Sequence, residues 1–405
     1  KWADSVWDIG AAFGTVAGKK DEITVEITTY RSESYDPTSR KPDVEFGKSI
    51  EADLARRDFT INAMALELTT DEPAFIDLFN GVLDLQKKII KTPGKAEDSF
   101  SDDPLRMMRA ARFMSQLNFE VDESVLVAIK NMAARLEIIS AERIRDEFIK
   151  IMMSSSPRLG ITLLVETGLS DYFLPEVPKL KLEIDEHHHH KDVYEHSLTV
   201  LEQAIALEDR LSGANLTLRL AALLHDIGKP KTKQLIAGGG VSFHHHEVVG
   251  ARMCKERMKK LRFDNHIIND VSQLVFLHLR FHGYGSGEWT DSAVRRYVRD
   301  AGELLTHLHL LTRADCTTRN KKKAEGLAKT YDQLEERIEL LMQQEELNKI
   351  RPDLSGEQIM EILGIKPSPA VGKAYDFLLE LRLEHGPLGE EKAKQALLTW
   401  QKEQK

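Results

Sequence analysis

Arg56-Arg57-Asp58-Phe59-Thr60-Ile61-Asn62-Ala63-Met64 is the stretch that decides the fold of the first part of this 405-residue chain. It places two guanidiniums, a carboxylate and an amide at the predicted start of a helix whose apolar face holds Phe59 and Met64. Guanidiniums there can clamp a triphosphate, and Asn62 can hydrogen-bond a ribose hydroxyl. The string therefore predicts a nucleotide site, although a salt-bridged helix start would carry the same residues.

The segment before this string predicts a strand and a loop. Apolar Ile23, Val25 and Ile27 alternate with polar residues, which is typical of a half-buried strand with Glu26 on its polar side. The polar segment 32–48 contains proline and glycine, and its length predicts a mobile active-site loop. Helices are expected to dominate from Ile50 onward.

Helix start signals recur further along the chain. Asp103-Pro104 combines an N-cap carboxylate with a proline at the first helical position, and Ser140 is typical of another N-cap. An apolar helix is expected after Arg158, and the proline-punctuated region 174–178 predicts a domain boundary. Beyond it the chain is predicted to be helical to its end, so the fold class is mainly α.

Asp103 and Arg106 form a second candidate pair. Residues three apart on a helix share a face, and a carboxylate beside a guanidinium offers one acceptor next to several donors. Cytosine and adenine each present an amino donor beside a ring-nitrogen acceptor, whereas uracil and guanine present the reverse order. The pair therefore predicts selection of C and A, and an N-cap role for Asp103 is compatible with it.

The nine-residue string resembles the RRDFTxNAM motif of the bacterial tRNA nucleotidyltransferase and poly(A) polymerase family. Other family-like elements follow in the family's order, and together they cover roughly residues 10 to 150. The residues Asp102-Asp103-Pro104-Leu105-Arg106 are similar to the family's EDxxR motif, with Asp102 in place of Glu. The remaining elements are Phe13-Gly14-Thr15-Val16, Glu26 to Arg31, Asp77 to Gly81, Asp84-Leu85 and Arg143-Ile144. Tyr35 to Thr38, together with a fused second domain, resembles the actinobacterial CCA-adding members.

The resemblance implies that the chain adds CMP and AMP from CTP and ATP to the 3′ end of tRNA, with Mg²⁺ as cofactor. It also implies a set of nucleotide-binding residues: Arg57, Asp58, Asn62, Asp103, Arg106, Arg109 and Arg143. Family members carry a Gly-Gly turn and an Asp-x-Asp pair upstream of the Phe-Gly-Thr-Val segment, and neither occurs between Lys1 and Asp21. Glu26 can supply a third carboxylate, but one acid cannot hold two magnesium ions. We therefore expect an N-terminally truncated α/β nucleotidyltransferase palm that binds nucleotide poorly and catalyses no addition.

His225-Asp226 marks a different kind of site. The dyad follows the apolar run 218–224 and precedes Gly228, so it is predicted in the last turn of a helix, where the helix dipole favours a cation. An imidazole nitrogen beside a carboxylate oxygen suits a divalent transition metal or magnesium. A lone histidine is more often structural, but further imidazoles stand nearby at helical positions.

The order His196, His225-Asp226, His246, His278 and Asp315 resembles the HD phosphohydrolase superfamily. The resemblance implies a divalent metal (Mg²⁺, Mn²⁺, Ni²⁺ or similar) held by His196, His225, Asp226 and Asp315. His246 and His278 would hold a second ion or the substrate phosphate, and Lys229 would steady the anion. Phosphatase or phosphodiesterase activity is expected, with a vestigial structural domain as the alternative.

Composition sets the broad class of the protein. Hydrophobic residues make up 41% and charged residues 30% of the chain, as in soluble globular proteins, and no apolar run reaches the roughly 18 residues that cross a membrane. Two cysteines outside any CxxC spacing favour a reducing cytoplasm. The net charge of −9 argues mildly against nucleic-acid binding, although basic residues cluster locally, for example at 319–323.

Four domains follow from these patterns. They are a palm at 1–92, a helical neck for nucleotide selection and RNA binding at 93–175, an HD domain at 176–325 and a helical tail for tRNA binding at 326–405. A phosphohydrolase with an RNA-binding front end and a poly(A) polymerase remain as alternative functions of the whole chain.

Overall fold

The computed structural model describes ten ranges of the chain: 2–10, 15–34, 43–46, 49–69, 71–181, 192–235, 241–281, 290–318, 320–345 and 350–404. The chain forms two compact units, one of residues 1–179 with 260–263 and one of residues 180–259 with 264–405. Several residues named in these predictions lie outside the described ranges, namely Phe13-Gly14, Tyr35 to Thr38 and Arg319.

The first unit begins with a three-stranded antiparallel sheet of β1 (Ser5–Gly10), β2 (Thr15–Lys20) and β3 (Ile23–Thr28) in sequence order. The predicted strand is confirmed, but its predicted burial on one side is wrong. Ile23, Val25 and Ile27 are 63%, 38% and 69% exposed. The strands contact chiefly one another, and within the described ranges no helix covers the apolar face of β3 closely.

The predicted loop at 32–48 is wrong at its described ends. Strands β4 (Arg31–Ser34) and β5 (Asp43–Phe46) pair antiparallel, with Arg31 opposite Phe46 and Ser34 opposite Asp43. Backbone hydrogen bonds between the two ends satisfy polar groups that an open loop would leave to water. The segment is therefore a hairpin in its described part.

The rest of the first unit is mainly helical, as expected. Its strands are β6 (Ala65–Glu67), β7 (Ala74–Ile76), β8 (Ile89–Ile90) and β9 (Glu120–Val121). Its helices are α1 (Ile50–Ala55), α2 (Gly81–Lys87), α3 (Ala96–Asp102), α4 (Leu105–Leu117), α5 (Glu123–Met132), α6 (Ala141–Met152) and α7 (Pro157–Glu166). Helix α4 packs against α6 and α7. Gly160 permits the close approach, because a Cβ there would lie 2.2 Å from Ser115 Oγ.

In its described residues the second unit is helical apart from turns, connecting segments and the short strands β10 (Gln234–Leu235) and β11 (Val241–Ser242). Its first helices are α8 (Val193–Ala206), α9 (Leu216–Leu224), α10 (Lys229–Thr232), α11 (His246–Lys260), α12 (Asn265–Leu277), α13 (Asp291–Ala301) and α14 (Leu305–Asp315). The apolar run predicted before His225 forms α9, and all its residues from Leu218 to Leu224 are buried. Helix α9 lies against α8, α12 and α14, so it is the central helix of this unit.

The C-terminal part contains α15 (Lys321–Glu345), α16 (Gly356–Leu363), α17 (Pro369–His385) and α18 (Glu390–Glu403). Helix α15 is continuous through residues 325 and 326, where the boundary between the HD domain and the tail is predicted. That helix buries Tyr331, Leu334, Ile338 and Leu341 on one stripe. Helices α16 to α18 form a small core of their own: Leu354, Ile359, Ala374, Leu378, Ala393 and Leu397.

Candidate functional site

The string 56–64 folds as a tight turn, and the predicted helix start there is wrong. Helix α1 ends at Ala55, and Thr60–Asn62 form one turn of 3₁₀ helix. Asp58 shapes this turn, because its Oδ1 accepts hydrogen bonds from Phe59 N at 2.8 Å and from Asn62 Nδ2 at 3.1 Å. Such local side-chain acceptors compete with a continuing helix. The Phe59 side chain is fully buried and anchors the turn.

Asp58 also joins this turn to helix α4. Its Oδ2 accepts from Arg109 Nε at 2.8 Å and from Arg109 Nη2. The Arg109 side chain is 31% exposed, so its guanidinium reaches the surface beside the turn. The structure thus brings Asp58, Asn62 and Arg109 into one cluster of hydrogen bonds.

Among the described residues the side chains of Asp103 and Arg106 do not pair as predicted; the two residues are joined by a backbone hydrogen bond from Arg106 N to the Asp103 carbonyl oxygen at 3.0 Å. Asp103 lies between α3 and α4, where its Oδ1 caps Leu105 N at 3.1 Å and its Oδ2 accepts from Arg143 Nη2 at 2.9 Å. Arg106 is buried and points elsewhere. The two residues do not share a helix face, because Asp103 has extended backbone and helix α4 begins only after Pro104. Pro104 thus takes the N-cap position predicted for Asp103, while Asp103 accepts from the first helical N–H and lies beside the exposed guanidinium of Arg143.

Arg106 instead binds two other segments of the same unit. Its Nη2 donates to the carbonyl oxygen of Arg56 at 2.6 Å, and its Nη1 donates to Ser99 Oγ at 2.9 Å. The turn and the segment 102–106 are thereby held together. Arg57 is half-exposed next to this bond, and its Nη2 lies 3.2 Å from Asp53 Oδ2.

Glu26 is not brought to these arginines. It lies exposed on β3 opposite Ala17 of β2, and among the described residues no hydrogen bond or ion pair joins it to the turn. Asp4 caps the β2–β3 hairpin by accepting from Asp21 N at 3.2 Å.

Three roles within this unit escape a sequence-only reading. Asp84 Oδ2 accepts from Thr60 Oγ1 at 2.7 Å, and Asp77 caps the start of α2 by accepting from Gly81 N at 2.6 Å. A Cβ on Gly81 would lie 2.3 Å from the Thr60 carbonyl oxygen, so glycine is required there. The Asp77 to Leu85 segment therefore supports the turn through these contacts.

The second unit gathers four imidazoles and two carboxylates. His196 comes from α8, His225 and Asp226 follow α9, His246 begins α11, His278 follows α12 and Asp315 ends α14. Two groups of three ligand atoms result, each within 4.8 Å: His196, His225 and Asp315 form one, and Asp226, His246 and His278 form the other. The structure thus brings all six predicted metal residues together.

Short distances define the cluster. His196 Nε2 lies 2.9 Å from Asp315 Oδ1 and 3.3 Å from His225 Nε2. On the other side, Asp226 Oδ1 lies 3.2 Å from His246 Nε2 and 3.9 Å from His278 Nε2. Asp226 Oδ2 lies 3.2 Å from His225 Nε2, so this carboxylate stands between the two groups.

Backbone carbonyls fix the orientation of three imidazoles. The Nδ1 atoms of His225, His246 and His278 lie 2.9, 2.8 and 2.6 Å from the carbonyl oxygens of the residues three positions earlier. A carbonyl only accepts, so each Nδ1 carries the proton and each Nε2 points into the cluster, where it offers a lone pair to a metal ion once the ring is neutral. His196 is turned the same way by Thr317, whose Oγ1 lies 3.2 Å from its Nδ1.

This donor set fits a metal ion. His246 Nε2 and His278 Nε2 lie 3.3 Å apart, and two lone pairs at that distance need a cation between or beside them. Asp226 Oδ2 is buried and makes no hydrogen bond of good geometry, although Lys229 Nζ is 2.9 Å away. Imidazole nitrogens with carboxylate oxygens are the ligands of divalent transition metals.

The pKa values reflect the same electrostatics. Burial acts against the charged form of His225, but the carboxylates of Asp226 and Asp315 outweigh it and raise its pKa to about 9. Burial and the neighbouring His225 lower the pKa of His278 to about 3. The carboxylates therefore attract positive charge into the cluster, as a proton on His225 or as a metal ion that replaces it, and His278 stays neutral.

Three family models match the chain in sequence order. They are the poly A polymerase head domain at residues 1–91, the probable RNA and SrmB-binding site of polymerase A at 118–180 and the HD domain at 193–320. The first covers the turn at 56–64, and the third covers all six residues of the cluster. The HD match thus contains the whole metal cluster, whereas the nucleotide-site residues lie in the head-domain match, in the RNA-binding match at Arg143 and between the two at Asp103, Arg106 and Arg109.

Relatives and solved structures agree with these matches. The A-adding tRNA nucleotidyltransferase of Deinococcus radiodurans is 33% identical over 341 residues, which is 82% of this chain and 75% of that protein. The CCA-adding enzyme of Lactobacillus delbrueckii subsp. bulgaricus is 46% identical over 165 residues, 40% of this chain and 41% of that enzyme. The crystal structure of the Bacillus stearothermophilus CCA-adding enzyme in complex with CTP has a TM-score of 0.67 at 21% identity, with 99% of this chain and 85% of that one covered. No helix in the described ranges combines the length and apolar character needed to cross a bilayer.

Proposed function

Because the chain belongs to the bacterial tRNA nucleotidyltransferase family with a fused HD domain, we propose that its first unit selects CTP and ATP for addition to the 3′ end of tRNA. One observation carries the proposal. The hydrogen bond from Arg106 Nη2 to the Arg56 carbonyl, at 2.6 Å, joins the arginine turn to the segment of Asp103. The proposed phosphate-binding and base-selecting residues are therefore connected by a direct hydrogen bond.

Asp103 is the proposed reader of the base. Its carboxylate accepts the amino group of cytosine or adenine, and a guanidinium beside it donates to the ring nitrogen. Arg106 is the donor that the family resemblance implies, and it would exchange its bond to Ser99 or Arg56 on nucleotide binding. Arg143 already lies 2.9 Å from Asp103 and is the competing donor.

Equilibrium binding of the four nucleoside triphosphates to the whole chain tests this proposal. CTP and ATP are expected to bind more tightly than UTP and GTP, by about ten- to a hundredfold for a bidentate pair. Asp103→Ala should remove the preference, whereas Asp98→Ala, an exposed acid on the preceding helix, should retain it. Equal affinity for all four would refute base selection, and a preference for ATP alone would favour a poly(A) polymerase.

Arg106→Gln and Arg143→Gln separate the two donors. If one of these variants loses the preference for CTP and ATP as completely as Asp103→Ala does, the substituted arginine is the one that recognises the base. Loss of ATP and CTP affinity without loss of preference assigns that arginine to support of the site instead.

The transfer step itself requires carboxylates for magnesium, and the residues described here do not fit that pair of ions. Glu26 is a single exposed carboxylate, and no Asp-x-Asp occurs between Lys1 and Asp21. The binding assay therefore addresses selection without depending on transfer.

The partner of this site is tRNA, and the cytoplasm is the proposed compartment. The RNA-binding family model at 118–180 supports a neck at 93–175 that contacts RNA, with the helices after α15 as a further tRNA-binding element. Retardation of a tRNA transcript lacking its terminal CCA in a native gel tests the contact. An affinity no greater than for an unstructured RNA of equal length would refute it.

A second function is proposed for the six-residue cluster, namely metal-dependent hydrolysis of phosphoesters. Convergence of four Nε2 atoms and two carboxylates is the observation that favours it. A bound Mn²⁺, Ni²⁺ or Mg²⁺ ion would supply Lewis acidity and an activated water. The chain's own residues hold the ions with fixed imidazoles, and Lys229, which is buried, steadies the anionic substrate.

Calorimetric titration with Mn²⁺ and hydrolysis of bis-p-nitrophenyl phosphate test this second function. Two ions per chain are expected from the two groups of ligands, and His225→Ala should abolish both binding at its group and turnover. His266→Ala removes an exposed histidine of α12 outside the cluster and should change neither. Metal binding without turnover in the unaltered protein would leave the cluster with a structural role only.

A further inference from the structure

We infer that Asp53 is a positioning residue of the nucleotide site, which holds both arginines of the 56–64 turn so that Arg57 can receive a triphosphate. The inference rests on the proposed nucleotide binding and goes beyond it, because it names the group that prearranges the phosphate clamp. Asp53 lies on α1, upstream of the turn, and no sequence motif discussed above includes it.

The carboxylate of Asp53 accepts hydrogen bonds from the guanidiniums of both Arg56 and Arg57. Asp53 Oδ1 accepts from Arg56 Nε at 3.2 Å and from Arg56 Nη2 at 2.5 Å, while Oδ2 accepts from Arg57 Nη2 at 3.2 Å. The carboxylate is only 5% exposed, whereas the Arg57 side chain is 47% exposed. The Asp53 carboxylate is thus buried, whereas the Arg57 guanidinium that it contacts faces solvent.

This arrangement orders Arg57 before a ligand arrives. A solvent-exposed arginine has many rotamers, and fixing one of them costs affinity when a ligand must do it. A buried carboxylate that accepts one guanidinium N–H selects a rotamer in advance. Arginine can still pair with phosphate through its other donors, since the guanidinium has five N–H groups.

The same carboxylate connects the phosphate clamp with the base-selecting segment. Asp53 fixes Arg56, and the Arg56 carbonyl accepts from Arg106 Nη2 at 2.6 Å. Ser99 holds the other side of the Arg106 guanidinium. A disturbance at Asp53 therefore reaches Arg57 directly and Arg106 only through the backbone of Arg56.

The Asp53 carboxylate is ionised near neutral pH. Burial acts to raise its pKa, but the hydrogen bonds and charges of Arg56 and Arg57 outweigh burial and lower it. An asparagine at this position keeps the shape, removes the charge and can accept through one oxygen only. Asp53→Asn is therefore the informative substitution.

The test is the affinity of the whole chain for ATP, ADP and AMP. In the unaltered protein, affinity should rise with each phosphate. Asp53→Asn should weaken ATP binding by about ten- to thirtyfold, as for loss of one or two charge-assisted hydrogen bonds, and AMP binding by less than about twofold. Glu51→Gln removes a charge from the exposed side of the same helix and should leave all three affinities unchanged.

Each outcome decides the inference. A uniform loss for ATP, ADP and AMP would assign Asp53 to general support of the fold and overturn a positioning role. Unchanged ATP affinity in Asp53→Asn would overturn it as well. If Asp53→Asn unfolds, Arg57→Gln should reproduce the selective loss of ATP affinity, and failure to do so would equally overturn the clamp. If the unaltered protein binds no nucleotide, the proposed function fails instead, which is a distinct result.

Discussion

The buried ion pair between Glu208 and Arg219 should be essential for the stability of the second unit. Arg219 Nε and Nη2 each donate to one carboxylate oxygen of Glu208 at 2.7 Å, and Glu208 Oε1 also accepts from Asn215 N at 2.8 Å. Both side chains are 5–6% exposed. Asn215 caps α9, the helix that leads into His225. The pair therefore fixes the start of the central helix that carries the metal dyad.

Arg219→Met should lower the free energy of unfolding by about 3–5 kcal/mol, because it strands a buried carboxylate and removes two charge-assisted hydrogen bonds of about 1.5–3 kcal/mol each. Glu208→Leu should cost a similar amount. The double variant replaces the pair by apolar side chains, and it should lose less than either single variant, as seen when buried pairs are removed whole. The expected coupling energy is thus about 3 kcal/mol or more.

Urea unfolding followed by circular dichroism, in EDTA so that metal binding does not contribute, measures these differences. Arg337→Met removes the partially exposed pair of Arg337 with Asp291 and should cost no more than about 1 kcal/mol. A single-variant loss below about 1 kcal/mol, or strictly additive losses in the double variant, would show that the pair is not the constraint described here.

Three further predictions concern single positions. Gly228→Ala places a Cβ 2.1 Å from the His246 carbonyl oxygen and should weaken Mn²⁺ binding by about ten- to a hundredfold, as for displaced ligand supports; an unchanged calorimetric affinity would contradict this. Gly326→Ala lies inside α15 with open space around it and should stabilise the protein by about 0.5–1 kcal/mol in urea unfolding; destabilisation would mean that the glycine has another role. Burial lowers the pKa of His309 to about 4. Between about pH 6.5 and about pH 4 the histidine is therefore protonated in the unfolded state and neutral in the folded state, so stability is lost as the pH falls through this range. His309→Gln should remove at most about 3 kcal/mol of that pH dependence, and a parallel pair of stability–pH curves would refute the assignment.

The metal cluster could be predicted from sequence because its ligands are set by helix ends. His225 and His278 directly follow apolar helices, and His246 begins one. Helix packing then decides where each imidazole points, and a carbonyl three residues earlier sets its tautomer. The pattern of histidines along the chain contains most of that information.

The nucleotide site was predicted less completely, because its contacts are made between side chains distant in sequence. Asp103 and Arg106 were placed on one helix face, yet the backbone turns between them, and Arg143 from another helix pairs with Asp103. The bond between Thr60 and Asp84 likewise spans segments that no periodicity connects. The exposure of the apolar side of β3 could not be predicted either. Alternation of apolar and polar residues shows which face of a strand can be buried, but it does not show whether another element covers that face.

The two sites are preorganised by different means, and their sensitivity to substitution should differ accordingly. Backbone carbonyls hold three of the four imidazoles of the metal cluster, so no single side-chain change releases those three, and a shift of a helix end such as that at Gly228 is needed. In the nucleotide site, carboxylates hold the guanidiniums, as Asp53 and Asp58 hold Arg57 and Arg109. Removing one charge there frees its arginine while the backbone stays in place. Substitution of a carboxylate that holds one of these arginines should therefore alter nucleotide affinity, whereas metal affinity should respond mainly to the ligands themselves and to the glycine that lets the helices approach.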